Sequence, residues 1–362
     1  MSATSDPRKT SDPASLRPSR DAVFSERAAL DGLAVSATPL TFEGAASQWL
    51  PRIEVLLREA AAGDGVLFAA ARYHFDTGGK RIRAILPPLL ASNLRASEAA
   101  LDEALTLGVA LELVHNGTLV HDDLQDGDTA RRGMPTVWAR YGMAQAVNVG
   151  TAMLLLGLSR VLSTRPGPGL IADVNLAILH IVEGQALEFE LQGSESPTVA
   201  QWERMAAGKT GALFGACFIA GVAAAGGSGR ARDAAWAFGV ELGVFFQLQD
   251  DLLDLVGDKG RDAVATDLAE GKISWPVAWC REHAEAGLAG RLLQIVKTPR
   301  EATTPEMVSE ALSLLHRSGA IAAATDTLTR SARALLSAPW CEVVPGVVER
   351  VIAPVRHVLT GL

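Results

Sequence analysis

The sequence has few cysteines and no surplus of positive charge. Its three cysteines, Cys217, Cys280 and Cys341, are far apart and form no CxxC pair. Neither a disulfide framework nor a zinc site is expected, and free thiols in a reducing cytoplasm are the simpler interpretation. The formal net charge of the 362 residues is -8, whereas a nucleic-acid-binding protein usually carries a basic surplus. A phosphate-binding protein with this balance must concentrate its cations locally or recruit metal ions.

The first 40 residues or so lack the apolar segment of a secretory signal and are rich in Ser, Pro, Asp and Arg. We therefore predict a disordered tail over residues 1–44 and one folded domain over residues 45–362. Residues 210–229 carry no charge and form a stretch long enough to cross a bilayer. Because this stretch is mostly Gly and Ala, we predict a buried core helix and no transmembrane segment.

Alternating strand patterns are scarce, and no internal repeat or linker divides the chain after the tail. Helical periodicity dominates instead. From residue 99 through residue 120, apolar side chains recur at spacings of three and four. These patterns predict an all-α protein with roughly a dozen helices around one core.

A pair of acidic motifs carries the first chemical signal. Asp122, Asp123 and Asp126 follow the long apolar helix pattern, and residues four apart share a helix face. Like charges at this spacing repel each other, and a bound Mg²⁺ that bridges the carboxylates to substrate phosphates would relieve the repulsion. Alone, the motif could equally be an exposed acidic helix end.

The same spacing recurs 128 residues later in Asp250, Asp251 and Asp254. Gln247 lies three residues before this second motif, on the face of Asp250. Two acidic faces on separate helices could meet across a cavity and hold metal ions, which in turn would hold a diphosphate.

Two cationic segments complete the pattern. Lys80, Arg81 and Arg83 follow a glycine pair, and Arg131 and Arg132 come five residues after the first acidic motif. Clustered Lys and Arg suit an oxygen-rich anion, although each segment alone could be a solvated surface patch. The segments stand near the acidic motifs, which favours a phosphate site.

One histidine lies on the first acidic face. His115 precedes Asp122 by seven residues, almost two helical turns. It could be structural or functional. His121 lies about 100° away around the helix, and no role is assigned to it.

Taken together, these segments resemble the trans-isoprenyl diphosphate synthase family from about residue 49 to residue 362. The matching stretches are GGKRIR (78–83), LELVHNGTLVHDDLQDGDTARRGMPTVW (111–138), GKTGALFGA (208–216), FFQLQDDLLD (245–254) and DLAEGKISWP (267–276). The resemblance implies an all-α isoprenoid synthase bundle around a deep central cavity, usually a homodimer. It also implies a reaction in which an allylic diphosphate, held through about three Mg²⁺, loses its diphosphate and is attacked by isopentenyl diphosphate.

The resemblance further implies a role for each matching residue. Asp122, Asp126 and Asp250 match metal ligands, with Asp123, Asp251 and Asp254 supporting or ligating. The positions matching those that hold isopentenyl diphosphate are Lys80, Arg83, His115 and Arg132. The positions matching those that hold the allylic diphosphate are Arg131, Lys209 and Lys272, while Thr210 and Gln247 match polar groups facing the reacting carbons.

The chain departs from the family pattern at three places. Asp262 stands where many relatives carry a further lysine, and Arg261 or Lys259 could substitute for it. Glu188 stands where aspartate is common, in the motif that begins at Gly184. Thr151 replaces another frequent aspartate. None of these changes removes a core metal ligand.

Two other functions compete with chain elongation. A terpene cyclase would share the fold and the first motif, but cyclases typically lack the GGKRIR segment and carry an asparagine-rich second motif. A non-catalytic partner subunit would generally have lost one acidic motif, and both are present.

Product length depends on the residues one turn deeper than Asp122. The family uses the positions four and five residues before that aspartate as a floor, and here they are Thr118 and Gly117, both small. We expect a product of twenty carbons or more, with geranylgeranyl diphosphate leading, unless Met153, Leu154 or Phe189 supplies the stop.

Overall fold

A computed structural model describes residues 30, 33–164, 168–227, 229–256 and 265–359. Within these ranges the regular secondary structure is helical apart from one two-stranded hairpin, β1 (Ala130–Arg131) paired antiparallel with β2 (Met134–Pro135). The all-α prediction is confirmed. The alternatives at Lys259, Arg261 and Asp262 lie outside the described residues.

The helices of the first half lead to the first acidic motif and then to two long outer helices. They are α1 (Phe42–Ala60), α2 (Val66–Asp76), α3 (Ile82–Asn93), α4 (Glu98–Gln125), α5 (Val137–Tyr141), α6 (Met143–Ser163) and α7 (Pro168–Gly193).

The second half carries the remaining cleft residues and the C-terminal helices. They are α8 (Val199–Ala206), a π-helical turn (Ala207–Gly211), α9 (Ala212–Ala224), α10 (Arg230–Val256), α11 (Thr266–Ala269), α12 (Trp275–His283), α13 (Ala286–Val296), a 3₁₀ turn (Arg300–Ala302), α14 (Pro305–Ser318), α15 (Ala320–Leu336), α16 (Trp340–Val343), α17 (Val347–Ile352) and a 3₁₀ turn (Ala353–Val355).

The folded body begins earlier than the predicted residue 45. Helix α1 starts at Phe42, which is buried, and the Thr41 hydroxyl caps it by accepting a hydrogen bond from the Gly44 N–H. Before it, the backbone of Leu40 exchanges hydrogen bonds with the Asn93 side chain. The N-terminal boundary therefore moves upstream, because residues assigned to the tail supply a helix cap and part of the core.

Helices α4 and α9 occupy the centre of the core. Helix α4 packs against α3, α6 and α9, and nearly every residue from 104 to 114 is buried. Helix α9 is uncharged and almost wholly buried, as expected for a helix that is hydrophobic all round. The interpretation of the uncharged stretch as a core helix is confirmed over residues 210–224.

Among the described residues, three helical stretches are long and apolar enough to cross a membrane: Met143–Ser163, Gly169–Gly193 and Val199–Ala224. The third lies inside the protein, with 89% of its most apolar window buried. In the first two, which correspond to α6 and α7, only 33% of that window is buried. Helices α6 and α7 therefore present an apolar outer face, which was not predicted from the sequence.

Candidate active site

A polar cleft of about 220 Å³ lies between the last turns of α4 and α10. The π-helical turn and the segment before α12 close its sides. Most of the residues predicted from the sequence line this cleft, namely Arg83, His115, Thr118, Asp122, Asp126, Arg131, Lys209, Thr210, Gln247, Asp250, Asp251 and Lys272. The two acidic motifs thus face one cavity, although they are far apart in sequence.

The surroundings of the first motif disfavour negative charge on its carboxylates unless positive charge lies nearby. Burial raises the pKa of Asp122 to about 6, and Lys209 only partly opposes this shift. Asp126, the C-cap of α4, accepts a hydrogen bond of 2.8 Å from the Lys272 ammonium. Because these carboxylates need nearby positive charge, the cleft suits a cation together with an anionic ligand.

Asp123 and Asp254, predicted to support the metal ligands or to ligate, are not among the residues that line the cleft. Asp123 is buried, and its Oδ1 accepts hydrogen bonds from the Arg131 guanidinium at 2.6–2.7 Å. The carboxylate of Asp254 accepts from the Thr266 hydroxyl at 2.6 Å and from the Asp267 N–H at 3.0 Å. Successive helical residues point about 100° apart. Each motif therefore directs one of its carboxylates toward a neighbouring segment of the protein. These two aspartates anchor the hairpin arginine and the start of α11.

Asp251 lies at the cleft but is held by other groups. Its Oδ2 accepts hydrogen bonds from the Trp202 indole at 2.9 Å and from the Trp275 N–H at 2.8 Å. Its Oδ1 accepts from the Gln247 amide at 3.1 Å, and the Gln247 oxygen accepts from the Thr210 hydroxyl at 2.8 Å. The chain of bonds fixes Thr210 and Gln247 side by side on the cleft wall.

Lys209 and Thr210 stand on the π-helical turn that interrupts the helix between α8 and α9. π-Helical turns are rare and occur frequently at functional sites. A Cβ added at Gly184 would lie 2.1 Å from the Lys209 backbone nitrogen, so only glycine lets α7 approach this turn so closely. Glu188, one turn further along α7, pairs with the Lys209 ammonium. Burial alone would lower the pKa of Lys209, but Asp122 and Glu188 raise it above its ordinary value.

A second ion-pair network, which was not predicted from the sequence, supports Lys272. Its ammonium lies 3.0 Å from Glu270, and Arg300 lies 3.4 Å from the other Glu270 oxygen. Arg300 also donates a hydrogen bond of 2.9 Å to the Asp126 carbonyl. Arg300 is 174 residues from Asp126 in sequence, and no local pattern marks either Arg300 or Glu270.

Arg83 on α3 is a half-buried cation in the cleft wall. One guanidinium nitrogen lies 3.2 Å from His115 Nε2, and the guanidinium carbon lies 4.8 Å from the centre of the Phe214 ring. Burial, followed by the charge of Arg83, lowers the pKa of His115 well below its ordinary value. The neutral imidazole therefore accepts the hydrogen bond from Arg83, and the pair forms a fixed cationic wall.

The other predicted cations differ in accessibility. Arg132 stands in the hairpin turn with φ of 52° and Gly133 with φ of 78°, the positive values that a two-residue type I′ turn requires. The Arg132 side chain donates to the Gly78 carbonyl. Lys80 is exposed on the same loop, whereas Arg81 is buried against Glu54 and Glu112. The hydrogen bond from Arg132 to Gly78 connects the hairpin to the loop that carries Lys80, whereas Arg81 stabilises the fold.

An apolar pocket of about 280 Å³ adjoins the cleft. Thr118, Asp122 and Lys209 line both cavities, so the pocket continues directly from the polar site. Its remaining walls come from α4, α6 and α7, through His121, Gln125, Leu154, Ile181, Val182, Gln185, Ala186 and Phe189. The shape suits a ligand with an anionic head and an apolar chain.

His121 and Gln185 are among the pocket residues that were not assigned a role from the sequence. His121 lines the pocket, and the Nε2 of its ring lies 3.2 Å from the Val147 carbonyl oxygen. Gln185 is buried, and among the described residues neither atom of its amide has a hydrogen-bond partner. Periodicity alone could not identify them, since a helix position does not reveal which neighbour it meets.

Gly117 is not among the residues that line this pocket, and its predicted place in the floor stays a prediction. A Cβ added there would lie 2.8 Å from the Gly150 carbonyl oxygen and 3.1 Å from the Met153 Cβ, both on α6. Glycine is needed for the close packing of α4 on α6. Thr118, by contrast, lies on the pocket wall as predicted, and so do Leu154 and Phe189.

Comparisons with known proteins bear on this geometry. The polyprenyl synthetase family model matches residues 64–315. A short chain isoprenyl diphosphate synthase from Methanocaldococcus jannaschii is 31% identical over 271 residues, covering 74% of this chain and 81% of the relative. A geranylgeranyl diphosphate synthase from Mycobacterium tuberculosis is 36% identical over 253 residues, covering 67% and 69%. The crystal structure of geranylgeranyl pyrophosphate synthetase from Pyrococcus horikoshii is similar with a TM-score of 0.75 and 28% identity, covering 87% of this chain and 98% of that one.

Proposed function

This chain belongs to the polyprenyl synthetase family and is a prenyltransferase, and from that premise we propose how its cleft joins isopentenyl diphosphate to an allylic diphosphate. One observation carries the proposal: two acidic motifs and two lysines surround a polar cleft that continues into an apolar pocket. The cleft takes the diphosphate of the allylic substrate, and the pocket takes its prenyl chain. Dimethylallyl, geranyl and farnesyl diphosphate are the candidate primers.

The donor set of the cleft fits Mg²⁺. Asp122, Asp126 and Asp250 offer carboxylate oxygens, the ligands that this ion prefers. Among the described residues, no three carboxylate, imidazole or thiol groups lie close enough to hold an ion by themselves. Substrate phosphates would therefore complete the coordination, as is usual for Mg²⁺. When bound, Mg²⁺, about three ions in the family, supplies positive charge against the leaving diphosphate.

The residues of the chain do the remaining work. Lys209, Lys272 and Arg131 hold the allylic diphosphate and stabilise the charge it gains as its bond to carbon breaks. The Thr210 hydroxyl oxygen and the Gln247 amide oxygen face the allylic cation. The double bond of isopentenyl diphosphate then attacks that cation, and the loss of one proton restores a double bond.

Isopentenyl diphosphate, the second substrate, binds on the side of the cleft opposite the allylic diphosphate. Arg83 and His115 supply a rigid wall at depth, while Lys80 and Arg132 approach from the loop. A pocket for a second, non-allylic diphosphate is what chain elongation needs and what a cyclase does not use. This arrangement supports elongation over the cyclase reaction.

Product length follows from the pocket walls. We propose a product of twenty carbons or more, supported by the small side chain of Thr118 next to Asp122.

A homodimer is also proposed, through the outer faces of α6 and α7. On α7, the exposed residues Ala172, Asn175, Leu179, Val182, Ala186 and Phe189 recur at spacings of three and four. On α6, the exposed residues include Met143, Val147, Thr151, Leu155 and Leu162. Apolar stripes of this period are typical of helices that pack on other helices, and none of these residues is charged.

The proposed function is tested by incubation of the protein with labelled isopentenyl diphosphate and each primer, with and without Mg²⁺, followed by product sizing. Elongation predicts an all-trans prenyl diphosphate that forms only when both substrates and Mg²⁺ are present. Release of diphosphate from the primer alone, with a cyclic hydrocarbon product, would support a cyclase instead. The absence of any turnover with all primers would support a non-catalytic subunit.

A further inference from the structure

The turn between α13 and α14 brings an arginine to a position beside the cleft. Arg300 begins this 3₁₀ turn, and its guanidinium contacts two segments that are distant in sequence. Its Nη1 donates a hydrogen bond of 2.9 Å to the Asp126 carbonyl and lies 3.6 Å from an Asp128 carboxylate oxygen. Its Nη2 lies 3.4 Å from Glu270 Oε1. Arg300 thus joins the end of α4 to the segment that follows α11.

The backbone around Glu270 is fixed by the way α11 ends. Glu270 is the C-cap of this helix, and Gly271 follows with φ of 74°. The Lys272 N–H donates to the Asp267 carbonyl at 2.9 Å, and the Gly271 N–H donates to the Leu268 carbonyl at 3.3 Å, which is the Schellman pattern of a helix C-terminus. Helix α11 also packs on α14, the helix that follows the arginine turn. The fold therefore brings the end of α11 close to Arg300.

The Glu270 carboxylate is shared by two cations. Its Oε2 lies 3.0 Å from the Lys272 ammonium, while its Oε1 is the oxygen that faces Arg300. The Lys272 ammonium also donates to the Asp126 carboxylate at 2.8 Å. In the proposed function that carboxylate is a ligand of Mg²⁺. Among the described residues, Glu270 is then the ion-pair partner that Lys272 retains.

We propose that Arg300 is a positioning residue for the allylic diphosphate. It fixes the Glu270 carboxylate, and Glu270 holds the Lys272 ammonium at the cleft. The inference rests on the proposed function and extends it to a side chain that contacts neither substrate. The Asp126 carbonyl anchors the guanidinium at the C-terminal end of α4, where helix carbonyls carry partial negative charge. Without Arg300, the Glu270 carboxylate can rotate, and Lys272 follows it away from the diphosphate.

A surface ion pair without a catalytic role is the alternative. The Arg300 side chain is 46% exposed, and exposed ion pairs contribute little to stability. The same two helices offer a matched control, because Arg291 of α13 and Glu310 of α14 form an exposed pair with two hydrogen bonds of 2.7 Å. Neither residue lines the cleft. Arg291→Gln therefore removes an ion pair of similar exposure without reaching Lys272.

The test compares Arg300→Gln, Glu270→Gln, the double variant and Arg291→Gln with the wild type. Steady-state kinetics give kcat and the KM values for the allylic primer and for isopentenyl diphosphate. Calorimetry with inorganic diphosphate and Mg²⁺ measures the affinity of the cleft without turnover. Denaturant unfolding shows whether each variant keeps the stability of the control.

Arg300→Gln and Glu270→Gln should each raise the primer KM and weaken inorganic diphosphate binding by about tenfold, the size typical of coupled charged groups. The KM for isopentenyl diphosphate should stay within about twofold. Because residues that act as a unit are not additive, the double variant should lose no more than the larger single loss. Arg291→Gln should match the wild type in every kinetic and binding value.

Two results would overturn the inference. One is a primer KM and a diphosphate affinity that Arg300→Gln leaves unchanged, and the other is single losses that multiply in the double variant. If Arg300→Gln fails to fold, Arg300→Lys takes its place: it keeps the charge but loses the planar fork, and the primer KM should rise about threefold. Failure of the wild type to condense the substrates would refute the proposed function, while the calorimetry would still test the role of Arg300.

Discussion

A pair of substitutions at neighbouring positions of α4 separates packing from product length. At Gly117, an added methyl would come within 2.8 Å of a backbone oxygen of α6. Such overpacking costs about 1–3 kcal/mol, and the helix propensity of alanine returns about 1 kcal/mol of it. Gly117→Ala should therefore lower the free energy of unfolding by about 0–2 kcal/mol and leave the product length unchanged.

At Thr118, a larger side chain should change the product length. A phenyl ring there would project into the pocket of about 280 Å³, one turn below Asp122, so Thr118→Phe should shorten the product. Thr118→Val is the matched control, because it keeps the shape and removes only the hydroxyl that donates to the His115 carbonyl. Denaturant unfolding and product sizing by chromatography give both quantities. If Gly117→Ala shortened the product and Thr118→Phe did not, the assignment of the pocket wall would be refuted.

Three further predictions follow from the cleft and the N-terminus. Arg83→Ala should raise the KM for isopentenyl diphosphate more than the KM for the primer, and steady-state kinetics showing the reverse would contradict its placement. Because burial raises the pKa of Asp122 to about 6, protonation of this carboxylate should weaken Mg²⁺-dependent diphosphate binding as the pH falls below about 6. Calorimetry between about pH 5 and pH 8 should show that the affinity depends less on pH in Asp122→Asn than in the wild type. A chain that begins at residue 30 should melt like the complete chain, whereas one that begins at residue 45 loses the Thr41 cap and the buried Phe42, about 3 kcal/mol together. Equal melting temperatures of the two shortened chains would show that these residues do not stabilise the body.

The residues that repeat at helical spacing were predictable from the sequence. Asp122 and Asp126 share a helix face because they are four residues apart, and the spacing of Gln247 and the second motif has the same effect. The two motifs then meet at one cleft because both helices face a common cavity. The buried α9 was also predictable, because an uncharged run of small residues inside a polar protein belongs in the core.

What could not be predicted depends on partners that are distant in sequence. Asp123 belongs to the first motif but is held by Arg131 of the hairpin, and no spacing rule specifies that pairing. Gly117 and Thr118 are adjacent and small, yet one packs on α6 and the other lines the pocket. Arg300 reaches the cleft across 174 residues. In each case the tertiary neighbour, and not the local pattern, decides the role.

The central claim is that the acidic motifs of α4 and α10 act as one magnesium-dependent diphosphate site. The most direct test measures kcat for condensation in saturating Mg²⁺ for Asp122→Ala, Asp250→Ala and the double variant. Because residues that act as a unit are not additive, each single variant should lose about two to three orders of magnitude, and the double variant should lose little more. Near-normal turnover of either single variant in excess Mg²⁺, or losses that multiply in the double variant, would contradict the account.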